Sequence, residues 1–448
     1  MSAPHETIVA LATAPAASGV GIVRVSGMLA GTIAREFLGT EPTPRHAHFC
    51  AFPDRAGTAI DRGLLLWFAA PHSYTGEDVL ELHAHGSPIV LRRLVDRTVE
   101  LGARAARPGE FSERAFLNGK LDLIQAEAIA DLIASGSEVA ARAALRSLEG
   151  EFSAQVKSLT EAVVRVRTWI EAAIDFPEEE IDFLATPQLH ADLADLVERA
   201  NALLAAARVG VRLNDNLHVV IVGRPNAGKS SVLNALARSD RAIVTEVPGT
   251  TRDPLRETIE LDGVALTLID TAGLHDSVER IEQEGMRRAR CELARADLAL
   301  LISDDKQAEA DLALLADLPA NAARMVVHNK IDLSDNQARR VEIGGRVDLW
   351  LSAKTGNGVN LLRTELRKLA AGEEAADGAF SARARHVEAI ERARDHVVAA
   401  RDALKDQAAG ELAAADLRQA QQALGEVTGE FTSDDLLGRI FSSFCIGK

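Results

Sequence analysis

Cysteine is scarce in this chain. Cys50, Cys291 and Cys445 are the only three, far apart in a sequence of 448 residues. They offer neither a zinc-type spacing nor a disulfide framework, which fits a reducing compartment. Long hydrophobic runs are absent as well: no stretch reaches the roughly 18 apolar residues a membrane span needs. The opening MSAPHETIVALATAP lacks a basic n-region and a long apolar h-region, so no signal peptide is expected. Positive charge is also in short supply. Lys plus Arg number 50 against 66 Asp plus Glu, a formal net charge of -16. That excludes a surface basic all over, though not a local basic patch. The terminal FCIGK sets a cysteine where a prenylation box has one, but Lys448 is not a usual last residue, so no lipid is expected.

What is present is an ordinary globular composition, 47% hydrophobic and 26% charged. At ~150 residues per domain the length suggests about three domains. The texture changes along the chain. In residues 1–118 strand-like runs (IVALAT, GVGIVRVSG, RGLLLWFAA, DVLELHAHG) alternate with Gly/Pro turns, and LRRLVDRTVELG carries a helical period with Gly102 as its stop. This predicts an α+β domain. Residues 119–215 are rich in Ala, Leu, Glu and Arg and predict long amphipathic helices, interrupted at Pro177 before Glu178, Glu179 and Glu180. Residues 216–371 alternate apolar strands with helices, the pattern of a mostly parallel sheet. Residues 372–448 return to helix. The expected architecture is an α/β P-loop domain inserted into an all-α helical domain, with an α+β domain in front.

The α/β segment carries the chemistry. Gly223 to Ser230, GRPNAGKS, follows the strand LHVVIVG and opens the helix SVLNALA. Gly-rich backbone at a helix N-terminus cradles phosphates. Asn226, Ala227, Gly228, Lys229, Ser230 and Ser231 are the candidate contacts, with Lys229 reaching the β/γ-phosphates and the Ser230 hydroxyl reaching Mg²⁺. Asp270, Thr271, Ala272 and Gly273 close the strand VALTLID, where an Asp can hold Mg²⁺ through water and a Gly amide can sense a γ-phosphate. In the loop DRAIVTEVPGTTRD, Thr251 is the residue chosen to close on Mg²⁺. Asn329, Lys330 and Asp332 follow the strand RMVVH. Asn329 can donate to the acceptor edge of guanine, and Asp332 can accept from its ring N–H and amino group. Adenine has no such donor pair and would leave the Asp unpaired, at ~1–3 kcal/mol or more. Ser352, Ala353 and Lys354 complete the base pocket. The segment therefore reads as a GTPase domain.

These motifs, together with GIVRVSG, LNGKLDLIQAEAI, IDFPEEEIDF, PGTTRD, DTAGL with a following VERIE, NKID and the terminal FCIGK, resemble the MnmE (TrmE) family of tRNA-uridine-modification GTPases, over the whole chain. The resemblance implies a fold of the kind just described, whose N-terminal domain dimerises. It implies that a 5-formyl-tetrahydrofolate-type one-carbon donor binds the N-terminal domain at Arg24, Glu81, Lys120 and Lys448. It implies a flavin-containing MnmG-type partner in a heterotetramer. Position 5 of the wobble uridine of certain tRNAs would gain an aminomethyl or carboxymethylaminomethyl group. It further implies K⁺-dependent hydrolysis without an arginine finger. Asn226, Thr245, Val247 and Thr250 would then be K⁺ ligands, and Thr245, Thr250 and Thr251 would line the GTP site. Leu274 stands where Ras-like proteins carry a water-positioning Gln, so Glu279 takes that role, with Glu282 and Glu284 as rivals.

Cys445 is either a reactive thiol, close to Lys448 and Arg439, or a packing residue; Cys50 and Cys291 read as structural. Glu81, His83 and His85 share a strand face, which also admits a metal. The protein is expected in the cytoplasm. The competing readings are a ribosome-associated regulatory GTPase without modification chemistry and a dynamin-type membrane remodeller, against which no basic amphipathic helix is found.

Overall fold

The computed structural model describes residues 6–175, 186–214, 217–224, 226–237, 256–261, 264–270, 296–304, 308–312, 322–334, 336–371, 378–407, 409–431, 434–444 and 447. The chain divides into two compact units. One comprises residues 1–130, 148–200 and 389–448, and the other 131–147 and 201–388.

The first unit opens with β1 (Ile8–Leu11), β2 (Ser18–Ser26), α1 (Ala30–Leu38), β3 (His48–Pro53), β4 (Ala59–Phe68), β5 (Val79–Gly86), α2 (Pro88–Glu100), β6 (Arg104–Ala105) and α3 (Glu110–Leu117). The strands form one six-stranded sheet in the order β3-β4-β5-β2-β1-β6. Strict alternation decides which side chains are buried. Val23, Val25, Leu65, Leu80 and Leu82 turn toward α1 and α2, and join Ile33, Phe37, Leu91 and Leu94 in one core. The intervening residues face the other way. There Arg24 stands directly opposite Glu81. At one end of that second face, Ile8, Ala10 and Phe111 make a smaller core against Tyr74.

The Ala/Leu-rich stretch breaks into α4 (Leu123–Ala134), α5 (Glu138–Leu148) and α6 (Glu151–Asp175), followed by α7 (Pro187–Asn214). Turn chemistry makes the breaks. The Ser137 hydroxyl accepts the Ala140 amide, a cap ahead of α5.

The second unit holds a seven-stranded sheet. Its elements are β7 (Leu217–Val222), α8 (Lys229–Ala237), β8 (Arg256–Leu261), β9 (Val264–Asp270), β10 (Leu298–Asp304), α9 (Ala308–Asp311), β11 (Ala323–Asn329), a single 3₁₀ turn (Ile331–Leu333), β12 (Arg339–Ile343), β13 (Arg346–Trp350) and α10 (Val359–Ala371). The order is β12-β13-β11-β10-β7-β9-β8. Neighbours from β13 to β9 are parallel, and β12 and β8 are antiparallel edges. Buried on both faces, β10 is apolar almost throughout. The chain passes from β7 to partners on both sides, which opens a crevice at the strands' carboxyl ends. The helices α11 (Ala384–Gln407), α12 (Gly410–Thr428) and α13 (Asp434–Ser442) end the chain.

In the first unit the tail returns to the start. Phe441 and Phe444 pack with Phe116, Leu123 and Ala126. A Cβ at Gly447 would lie 2.1 Å from the Leu11 carbonyl oxygen, so only glycine lets the terminal backbone sit against β1. No described helix is long and apolar enough to cross a membrane.

A buried polar knot secures the second face. Arg104 donates twice and Arg114 once to Glu110, whose side chain is 1% exposed, and the Arg107 amide adds a fourth bond. Burial alone would raise this carboxyl, but the bonds from Arg104, the Arg107 amide and Arg114 outweigh it and bring it to about 2. Set against an ordinary value near 4.5, that corresponds to about 3 kcal/mol of stability. A depressed carboxyl contributes fully above about pH 4.5 and loses its contribution as pH falls toward 2. Glu110→Gln should therefore destabilise this unit by up to ~3 kcal/mol at neutral pH and by little near pH 2. Urea unfolding across pH, followed by amide exchange in β1 and α3, checks it.

Candidate functional site

The phosphate loop runs from β7 into α8, at the carboxyl end of the sheet. Asn226 has φ 63°, a left-handed turn that Asn tolerates. Ala227 is buried, while the side chains of Asn226, Ser230 and Ser231 are exposed. Lys229 is only 7% exposed, and its ammonium donates to the carbonyls of Gly223 at 2.7 Å and Arg224 at 3.0 Å. Its charge is thereby held within the arc of the loop.

Asn329 joins three segments. Its Nδ2 donates to the Ala227 carbonyl at 3.1 Å, and its Oδ1 accepts the Ala353 amide at 3.1 Å. The base loops are thus tied to each other and to the phosphate loop. The Ser352 hydroxyl donates to Asp332 Oδ1 at 2.6 Å, and Asp332 is exposed at the mouth of the crevice. Ser352 is fully buried and Lys354 exposed. Lys330 has φ 66° and reaches Asp304 at 3.3 Å. A base loop that presents a carboxylate and an amide beside a Gly-rich loop at a helix N-terminus can take a guanine nucleotide and orient its phosphates.

Two holding contacts were not legible from the motifs. Arg224 pairs with buried Asp311 at 2.5 Å, and the Ser303 hydroxyl donates to the same carboxylate. Asp311 lies outside every motif, and only its place near the end of β10 hints at it. Of the remaining expected residues, Asp270 ends β9 as expected. Thr245, Val247, Thr250, Thr251, Thr271, Ala272, Gly273, Glu279 and its rivals Glu282 and Glu284, Cys291, Cys445 and Lys448 lie outside the described residues.

In the first unit, Arg24 Nε donates to Glu81 Oε1 at 2.9 Å, with both side chains under a fifth exposed. A second Arg24 nitrogen donates to the Gly447 carbonyl at 3.3 Å. The guanidinium lies over the rings of Tyr74 and Phe111, 5.5 and 6.0 Å from their centroids. His83 donates to the other Glu81 oxygen at 3.1 Å. Burial would raise the Glu81 carboxyl, but the His83 bond and the charge and bond of Arg24 hold it below the usual carboxylate range. His85 turns instead to Asp61 at 2.9 Å. The metal trio is not assembled: among the described residues no cluster of three His, Cys, Asp or Glu side chains could hold a metal ion. Lys120 donates to the Pro71 carbonyl at 3.1 Å, on the loop that leads to Tyr74. Sequence reasoning missed Tyr74 and Phe111; a lone aromatic in a turn and one on a short helix give no motif. Cys50 is half-buried, and burial raises its thiol.

The family model described as the MnmE helical domain matches residues 123–445, and that described as the GTP-binding protein TrmE N-terminus matches residues 7–120. A protein of Methylococcus capsulatus named tRNA modification GTPase MnmE is 54% identical, with 100% of each chain covered. Proteins of the same name from Hydrogenovibrio crunogenus and Pseudomonas syringae pv. tomato are 51% and 53% identical, covering 99% and 100% of both chains. Among solved structures, the G domain of the T. maritima FeoB iron transporter aligns at 22% identity, covering 35% of this chain and 99% of that one, with a TM-score of 0.26.

The tightest feature of the site yields a test. A Cβ at Gly228 would fall 2.3 Å from Asn329 Nδ2, which is itself pinned on both sides, and Gly228 has φ 96°. Gly228→Ala should weaken binding of a fluorescent GTP analogue at least tenfold, about 1.4 kcal/mol, by equilibrium titration.

Proposed function

This chain belongs to the MnmE family and is a GTP hydrolase that takes part in tRNA modification; on that premise we propose that its hydrolysis depends on K⁺ and serves the addition of an aminomethyl or carboxymethylaminomethyl group to position 5 of wobble uridine. The observation that carries the reading is the Asn329 junction, which sets a phosphate loop, an exposed carboxylate and a backbone amide around one crevice.

Within that reading GTP contacts the phosphate loop, Asp270 to Gly273, and the two base loops. Ser230 and Thr251 hold Mg²⁺. Asn226, with an exposed side chain, joins Thr245, Val247 and Thr250 around K⁺. The exposed oxygens of Ser230 and Asn226 suit hard cations, which favour oxygen ligands. The two cations would supply positive charge beside the phosphoryl oxygens, where other GTPases use an arginine. Glu279 orients water.

The one-carbon donor is a 5-formyl-tetrahydrofolate or a related folate, taken up at Arg24, Glu81, Lys120 and Lys448. Support comes from the Arg24–Glu81 pair between two rings. A folate offers an anionic tail for a guanidinium and adjacent donors for a carboxylate. The Gly447 carbonyl, which accepts a hydrogen from Arg24, supports a role for the terminal FCIGK segment in that site. This arrangement favours the modification enzyme over a regulatory GTPase without such chemistry. The protein works in the cytoplasm as a homodimer, with a flavin-containing MnmG-type partner and tRNA.

Three experiments test it. GTP hydrolysis should be several-fold faster in KCl than in equimolar NaCl, and Asn226→Ala should erase the difference; equal rates in both salts for the unaltered chain would remove the alkali ion. Calorimetry should find binding of 5-formyl-tetrahydrofolate that Arg24→Ala weakens at least tenfold. Wobble uridines unaltered in a strain lacking this chain would overturn the reading as a whole.

A further inference from the structure

On the sheet face opposite Asn329, the next side chain back along β11 belongs to a second, separate device. His328 stands in register with Trp350 of β13, and Trp350 with Arg339 of β12. The His328 and Trp350 rings stack with centroids 4.0 Å apart and planes 3° from parallel. The Arg339 guanidinium lies 4.2 Å from the Trp350 ring centroid. His328 Nε2 donates to Asp348 Oδ2 at 2.9 Å, and Arg346 holds the same carboxylate with two bonds. Among the described residues His328 Nδ1 has no hydrogen-bond partner, and the Asp348 bond and the stack turn the ring. His328, Trp350 and Asp348 are all buried.

The position of this stack gives it a consequence. Directly beyond His328 come Asn329 and the turn bearing Asp332; beyond Trp350 come Leu351, Ser352 and Ala353. The backbone ladder between the two strands is running out there. The Leu351 amide donates to the His328 carbonyl at 3.0 Å, but the next bond, from Ile331 to the Leu351 carbonyl, has stretched to 3.4 Å. Past that point the described loop residues meet through side chains, Ser352 on Asp332 and Asn329 on the Ala353 amide. A slip between the strands would turn the Asp332 carboxylate.

We propose that His328 and Trp350 are positioning residues for base selection: their stack fixes the register of β11 against β13 and so the aim of Asp332 at the donor pair of guanine. The proposal rests on the guanine reading of the pocket. It assigns the pair no contact with nucleotide.

The test compares GTP with ITP, which lacks the amino group and forfeits one of the two bonds to Asp332. Steady-state hydrolysis by the full chain gives KM and kcat for each. In the unaltered protein KM for ITP should exceed that for GTP. His328→Leu, which fills the space without a flat ring, should raise KM for GTP about tenfold, leave kcat within twofold, and bring the ITP/GTP ratio toward one. His328→Phe, which keeps a ring but not the Asp348 bond, should retain most of the discrimination, and it serves as the folded control, by thermal melting, if the leucine variant is unstable. Trp350→Phe should behave likewise. An unchanged ITP/GTP ratio in His328→Leu, or a lost ratio in His328→Phe, overturns the proposal. If the unaltered chain fails to prefer GTP over both ITP and ATP, the guanine reading itself falls.

Discussion

The nucleotide crevice depends on one side chain amide. Asn329 gives a hydrogen to the Ala227 carbonyl and takes one from the Ala353 amide. Residues more than a hundred positions apart are joined through it. Each bond alone contributes modestly, about 0.5–1.5 kcal/mol. Asn329 is 2% exposed, however, and a buried amide left without partners would cost ~1–3 kcal/mol per orphaned group. The penalty for undoing the junction thus exceeds the gain from making it. The bare Gly228 makes the junction possible, because the space a Cβ would occupy is where the Asn329 amide lies.

The motif residues were legible because their roles require a fixed spacing at strand ends. A phosphate loop must leave a strand and enter a helix, and it does so at Val222 and Lys229. The parallel strands were legible from their apolar runs, and β2, β4 and β5 as strand-like runs between Gly/Pro turns. The elements that escaped have weak local signals. Helix α1 begins after Leu29 with no side-chain cap, α3 begins after Gly109 in a left-handed turn, and β6 is two residues long. Tertiary packing holds these elements, and a local pattern does not report tertiary packing. Contacts escaped for the same reason. Arg224 with Asp311, and Arg24 with Tyr74 and Phe111, join residues that nothing in the sequence sets side by side.

The metal alternative at Glu81, His83 and His85 shows how alternation can be right while the inference from it is wrong. The strand faces are as expected. Yet each imidazole meets a carboxylate nearby, His83 the Glu81 beside it and His85 the Asp61 across the sheet, and both needs are met without a metal. A shared face gives direction, not convergence. Convergence needs side chains whose nearer options are closed, and here they are open.

The residues proposed for recognition share one economy of valence. Arg24 has five N–H donors and, among the described residues, gives one to Glu81 and one to Gly447. Asp332 offers about four acceptor positions and one holds Ser352. Asn329 has spent one of two hydrogens. Lys229 has three, of which two lie on loop carbonyls. Each group is fixed by some of its bonds, and the proposed ligands would take others. A fully unbonded side chain would pay its rotamer entropy on binding, and a fully bonded one would have to break a contact first. The intermediate state avoids both costs. It also explains why the holding partners matter: the Ser352 hydroxyl and the Ala227 and Gly447 carbonyls take up hydrogens and lone pairs that would otherwise be open to a ligand.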